Sequence, residues 1–222
     1  MPIGTIQKYF DYTISLFGLS KSFGKANTRS GFVVANEHII SLLRNHIFYA
    51  MDSMSILQAS LLSGAFCDSN TRNREYKKYF DYVIEQYVCK RDLAIGIING
   101  LSSIKNSPYI EKITKKLRKI LGKELFLKMK NGIPYVEVKI VPQAGFFLLL
   151  DFTDLLEHSL IKNEKELLQY MYINYGVKFL VGQSISWPNE KEIIVRITYS
   201  LKDRDIIESL KRIYLSVEEL CY

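Results

Sequence analysis

Cysteine is scarce in this 222-residue chain: Cys67, Cys89 and Cys221 lie far apart and form no Cys-x-x-Cys pair. That spacing excludes a disulfide framework and reads as reduced, mostly buried thiols of a cytoplasmic protein. Histidine is equally sparse, and His38, His46 and His158 are not spaced with acids as metal ligands are, so no metal site is expected. No apolar run approaches the length of a membrane span. The segment Met1–Lys8 carries no apolar leader region. Gly-x-Ser-x-Gly, the P-loop and the dinucleotide glycine pattern are all missing, which removes the commonest hydrolase, nucleotide-triphosphate and dinucleotide readings.

What is present is a foldable chain with 48% apolar residues, enough for a real core. The net charge of +7 is concentrated in one place. Between Lys112 and Lys130 stand eight Lys or Arg and a single acid, Glu124, while the rest of the chain is neutral. A lone basic segment does not indicate nucleic-acid binding in the way that diffuse basicity would.

The organising stretch is Gly18–Gly31, Gly-Leu-Ser-Lys-Ser-Phe-Gly-Lys-Ala-Asn-Thr-Arg-Ser-Gly, set between the apolar runs Ile14–Phe17 and Phe32–Ala35. The two runs are candidate strands that pair, with a polar turn between them. A lysine fixed at a strand end can form a Schiff base with an aldehyde cofactor. A guanidinium nearby can hold that cofactor's phosphate by a forked, charge-assisted pair. Lys21 and Arg29 are the candidates, and Gly24 and Gly31 let the backbone bend beside them. The plainer alternative is a turn with a solvated lysine and arginine.

This segment resembles the lysine motif of fold-type-I aminotransferases of classes I and II. Ser20-Lys21-Ser22-Phe23-Gly24 and Arg29-Ser30-Gly31 match their Ser-x-Ser-Lys-x-x-Gly and Arg-x-Gly elements in type and spacing. The resemblance implies pyridoxal 5'-phosphate (PLP) as cofactor. It makes Lys21 the Schiff-base and catalytic lysine, Arg29 the phosphate ligand, and Ser20 a further cofactor-binding residue. Gly18 stands where many members carry a serine.

Beyond the turn, Asn36 offers an N-cap with Glu37 in the first turn, followed by apolar residues at helical spacing through Phe48. A second helix is expected through Leu62, ended by Gly64, with a polar loop at Asp68–Asn73. A long helical pattern without proline runs from about Thr71 to Ser102, matching a long helix that joins the two domains in the family. The expected boundary is near Arg91, giving residues 1–90 as part of a large PLP-binding domain and 91–222 as a small C-terminal domain. Ile110, Ile113, Leu117, Ile120 and Leu121 form the apolar stripe of the basic segment, and Gly122 is its candidate stop. Its lysines read as a solvated face or, more sharply, as a partner surface.

Strands are then expected at Tyr135–Val141, Gly145–Phe152 and Val177–Val181, a helix at Asn163–Tyr175 stopped by Gly176, and a closing amphipathic helix at Lys202–Leu220. Pro142 to Asp151 looks like the "P-x-G-G-F-F-x-x-x-D" strand of the family's small domain, and Val181 stands where the family usually has proline. In Glu192–Ser200 a guanidinium, Arg196, interrupts an apolar strand, and burying it unpaired would be costly. From the residues alone it is an outward-facing arginine with a surface acid. From the resemblance it is the substrate-binding arginine that grips the α-carboxylate.

The overall expectation is an α/β fold: two strands and helices of the large domain, a long helix, and a small α/β domain. The implied activity is amino-group transfer between an amino acid and a 2-oxo acid. A PLP lyase resembling aminocyclopropane-carboxylate synthases and a non-catalytic interaction module are the alternatives. The resemblance covers only the C-terminal portion of the family. The aspartate at the pyridine nitrogen and the aromatic ring on the cofactor belong to the preceding portion. A fragment, half of a split enzyme, or a decayed remnant, weak or inactive alone, is therefore expected. Its partners would be the substrate and an N-terminal partner chain or a second copy, with neither nucleic acid nor membrane.

Overall fold

The computed structural model describes residues 6–22, 29–51, 55–60, 70–189 and 191–221. The expected stops at Leu62 and Gly64, and Cys67, lie outside them. The chain forms two compact units, Met1–Tyr76 and Lys77–Tyr222, with the division falling inside a long helix.

In the first unit a 3-10 turn at Gln7–Tyr12 precedes β1 (Ser15–Gly18). The chain continues through a single helical turn, α1 (Leu19–Ser22), to β2 (Gly31–Val34). The strands are antiparallel, with Ser15 opposite Val34 and Gly18 opposite Gly31. Phe17 and Phe32 face each other in this register, and their rings stack 4.8 Å apart. Then comes α2 (Glu37–Met51). Its cap is the expected one: Asn36 Oδ1 accepts from the Ile39 N–H at 2.9 Å, while Asn36 Nδ2 donates to the Asp11 carbonyl at 2.9 Å. Residues 56–60 are helical.

Helix α3 (Asn70–Ile98) starts within a residue of the expected Thr71 and ends four residues short of Ser102. Asn70–Asn73 belongs to it and is not a loop. Polar side chains without proline or glycine give a helix no reason to stop, although they leave no apolar period to reveal it. After a 3-10 turn at Leu101–Ile104, α4 (Ile110–Met129) carries the basic segment. Gly122 breaks α4 at φ 75° without ending it, because Phe126 and Met129 bury a second apolar face beyond the kink.

The second unit's sheet has the order β3 (Phe147–Asp151), β5 (Ile194–Thr198), β4 (Leu180–Val181), all antiparallel. The expected strand at Tyr135–Val141 does not form. Its alternation survives only as burial of Val136 and Val138 and one bridge, Glu137 to Asp151. Tyr135 sits at φ 57°, which breaks extended pairing. Between β3 and β4 lie the short α5 (Leu155–His158) and α6 (Glu164–Tyr175). Asn163 caps α6 by accepting from the N–H groups of Lys165 and Glu166, and Gly176 ends it at φ 64°. The last helix, α7 (Asp203–Cys221), buries Ile206, Ile207, Leu210, Ile213, Tyr214 and Val217 along one side. They join Leu148, Leu150 and Val195 in a single core.

The basic segment is mostly a solvated face of α4. Ile113 and Leu117 point into the core, Lys116 pairs with Asp203, and the Arg118 guanidinium lies 5.0 Å from the Phe126 ring centre. Cys89 is buried, which pushes its thiol pKa up against the pull of Lys112 and Lys116. Among the described residues no helix is long and apolar enough to cross a membrane.

Candidate functional site

The lysine turn is built by the β1–β2 ladder. Past the last strand pair, Gly18–Gly31, one further contact holds the flanks: the Leu19 N–H donates to the Ser30 carbonyl at 3.2 Å. Leu19 and Ser30 are both buried there. Lys21 therefore lies two residues beyond this clasp on one flank, and Arg29 one residue beyond it on the other. Lys21 and Arg29 are exposed and Ser20 is half-buried. Glycine at position 31 is required by close approach, since a Cβ there would lie 2.6 Å from the Phe17 carbonyl oxygen. Arg29 takes the left-handed backbone region at φ 47°, uncommon for a non-glycine residue.

The fold thus sets a primary amine, a guanidinium and a serine hydroxyl at the same end of one hairpin. That donor set suits an aldehyde-bearing phosphate ester. The amine can condense with the aldehyde, and the guanidinium and hydroxyl can donate to phosphate oxygens. The residues present fit PLP in chemical kind.

Arg196 belongs to the second unit, in the middle of β5. It is opposite Leu149 of β3 and Leu180 of β4. Its neighbours Val195 and Ile194 are buried, while Arg196 is half-buried on the face opposite the one Val195 turns to the core. The Phe147 ring, two residues before Leu149 on the same face of β3, carries the guanidinium 4.5 Å from its centre. Such stacking holds the planar fork in place without using its N–H donors. Among the described residues no acid pairs with Arg196.

Arg196 lines a cleft of about 560 Å³ with Phe147, Lys178, Leu180, Thr198 and Arg212, closed by the apolar side of α7. Sequence reasoning found the arginine but not Phe147 or Lys178. Phe147 was visible as the second phenylalanine of the Pro142–Asp151 strand motif, but its place against Arg196 follows from the β3–β5 register. Lys178 carries no sequence signal, because it enters the cleft only where the chain after Gly176 turns back toward β4.

A second ionic cluster lies at the far end of β3. Asp151 is buried, and Lys139 meets its carboxylate. Burial raises the Asp151 pKa, but Lys139 and the Thr153 N–H outweigh it and hold the carboxyl below its usual range. These contacts close the β3 end rather than presenting a reactive group.

The chain resembles the solved aspartate aminotransferase of Rhizobium meliloti with a TM-score of 0.68 at 17% identity, over 99% of this chain and 45% of that one. The aromatic aminotransferase of Pyrococcus horikoshii aligns with a TM-score of 0.64 at 19% identity, over 98% of this chain and 46% of that one. A Thermus thermophilus aspartate aminotransferase mutant complexed with tryptophan gives 0.62 at 15% identity, over 95% and 42%. This chain thus spans less than half the length of these structures. No curated protein matches it. The sequence profile of aminotransferase class I and II matches residues 2–213, nearly the whole chain. With that match and this shared α/β fold, the chain belongs to the class I and II aminotransferase family.

Proposed function

We propose that this chain is the part of a PLP-dependent aminotransferase that holds the cofactor lysine and the substrate carboxylate. The observation that carries the reading is the hairpin end, where Lys21, Arg29 and Ser20 are gathered beyond the Leu19–Ser30 clasp. Bound PLP would supply an aldehyde and an electron sink for a substrate carbanion. Lys21 would hold it covalently, then use the same Nζ to take the proton from the substrate α-carbon and return it during transfer. Arg29 and Ser20 would bind the phosphate, keeping the reacting end in reach of Lys21. Arg196, with its donors unclaimed by an acid, would orient the substrate α-carboxylate by two parallel hydrogen bonds. Residues 1–90 would then be large-domain and 91–222 small-domain. The protein would work in the cytoplasm on an amino acid and a 2-oxo acid, with a chain supplying the rest of the fold or as a homodimer.

The test is chemical. Incubation with PLP followed by borohydride should fix a pyridoxyl group on Lys21, located by peptide mass mapping, and Lys21→Ala should abolish it. Label scattered evenly over surface lysines, or unchanged in Lys21→Ala, overturns the reading. A PLP lyase of the same framework would give the same label and differ in product.

One observation favours a second reading, a non-catalytic module that binds a protein partner. Ile14, Leu16, Phe17 and Val34 of the hairpin are exposed, and an apolar two-stranded sheet is a ready docking surface. Under that reading no pyridoxyl group is fixed at Lys21.

A further inference from the structure

Helix α4 carries more charge of one sign than the fold uses. Lys112, Lys115, Lys119, Lys123 and Lys128 are exposed, and among the described residues none of them forms an ion pair. The other cations of the helix are taken: Lys116 pairs with Asp203, and Arg118 lies against the Phe126 ring. Helix α7 shows the contrast, since its Lys211 and Arg212 both pair with Glu208. The acids of α4 are Glu111 and Glu124, and neither pairs with a lysine of the described residues.

The core sets their placement. Ile113, Leu117, Phe126 and Met129 turn inward. Lys112, Lys115 and Lys119, three and four positions apart, therefore line the opposite side over about 10 Å of helix. Like charges at these separations destabilise a helix, and burial of the apolar side holds α4 together against that repulsion. Two large apolar side chains stand among the cations: Ile120, 40% exposed, and Leu127, 48% exposed. This combination narrows the partner. A basic helix meets an anionic membrane with its apolar face, and in α4 that face is in the core. Single-stranded nucleic acid is held by stacking on aromatic rings, and Phe126, the one aromatic residue of α4, is buried. Duplex phosphates would engage the lysines but leave Ile120 and Leu127 without a contact.

We propose that this face of α4 docks an acidic segment of a partner protein, with carboxylates spaced along it and apolar side chains between them. The carboxylates meet Lys112, Lys115, Lys119 and Lys123, and the apolar side chains cover Ile120 and Leu127, as in paired amphipathic helices flanked by charge. Opposite charge speeds the encounter and orients the partner, and the apolar contacts hold it. The surface uses none of Lys21, Arg29 and Arg196, so the proposal stands independently of the PLP reading.

Fluorescence anisotropy with the full chain tests it. The first probe is a labelled peptide of three Leu-Glu-Glu-Leu-Glu-Glu-Glu repeats, and the second has serine in place of each leucine. The leucine peptide should bind about fivefold tighter than the serine peptide. Reversing three charges together, Lys112→Glu, Lys115→Glu and Lys119→Glu, should weaken it by about tenfold or more. The corresponding three Lys→Arg changes should keep it. Three reversals at exposed lysines elsewhere, Lys78→Glu, Lys162→Glu and Lys191→Glu, should weaken it by less than about twofold. Ile120→Ser with Leu127→Ser should remove the preference for leucine. No binding of the leucine peptide, equal binding of the two peptides, or equal loss from the two sets of reversals overturns the proposal. So does a DNA duplex or a phosphatidylserine vesicle that binds more tightly than the leucine peptide and is lost on reversal at 112, 115 and 119, which would assign the face to that partner instead.

Discussion

The two units bury their apolar residues to very different extents. In Lys77–Tyr222, strands β3 and β5 and helices α3, α4, α6 and α7 share one core, with Leu150, Val195, Leu210 and Val217 almost wholly enclosed. In Met1–Tyr76, the described residues that reach burial are Leu19 and Ser30, at the clasp of the lysine turn. Leu16, at the centre of β1, remains 77% exposed. A sheet of two strands cannot cover both its faces. The second unit therefore has its own source of stability, and the first holds one local geometry, the hairpin end that carries Lys21 and Arg29.

Core truncation is the sharpest way to break this contrast. Leu210, 1% exposed, should lose about 2–5 kcal/mol as Leu210→Ala, the range for a buried leucine that leaves a cavity. Leu16→Ala should cost less than about 0.5 kcal/mol, as an exposed change does. Urea denaturation of the full chain measures both. Equal losses would mean that the hairpin is packed as tightly as the core.

A smaller effect compares the caps. Asn163→Ala removes the acceptor for two N–H groups at the start of α6 and should destabilise the second unit by about 1 kcal/mol. Asn36→Ala removes one such acceptor and the link to Asp11, but in a unit with little core to transmit the loss. Helicity should fall locally around α2 without shifting the main urea transition. A common shift of that transition would show the two units unfolding as one.

The smallest effect is confined to acid. The Asp151 carboxyl is held below its ordinary pKa, so it binds protons more readily unfolded than folded. Its contribution is complete above about pH 4 and is lost as pH falls through the depressed value. Lys139 is more than half exposed, so solvent screens much of the pair's energy. Asp151→Asn should flatten the acid limb of the second unit's urea midpoint, read from Trp187, and leave amide exchange in the first unit unchanged. An unchanged acid limb would remove Asp151 from the account.

Elements with a strong local signal were legible before folding was considered. The stripe of α7, the Asn163 and Gly176 boundaries of α6, and the pairing of the runs around the lysine turn all follow from spacing and caps. Readings failed where distant contacts decide. Tyr135–Val141 alternates like a strand but receives only one bridge, Glu137 to Asp151, since Tyr135 at φ 57° breaks the extended backbone that a ladder on the open edge of β3 would need. Gly122 looks like a stop, but the burial of Phe126 and Met129 carries α4 beyond it.

The sequence by itself determined the chemical inventory: an amine and a guanidinium eight residues apart between two strand-forming runs, and an arginine inside an apolar strand. Those are local matters of residue type and period, and the chain carries them wherever it folds. The tertiary structure decided which groups meet. Register placed the Phe147 ring under Arg196, the return of the chain after Gly176 brought Lys178 to the same cleft, and Glu208 neutralised Arg212. Such juxtapositions depend on pairing between residues tens of positions apart, and no periodicity along one segment encodes them.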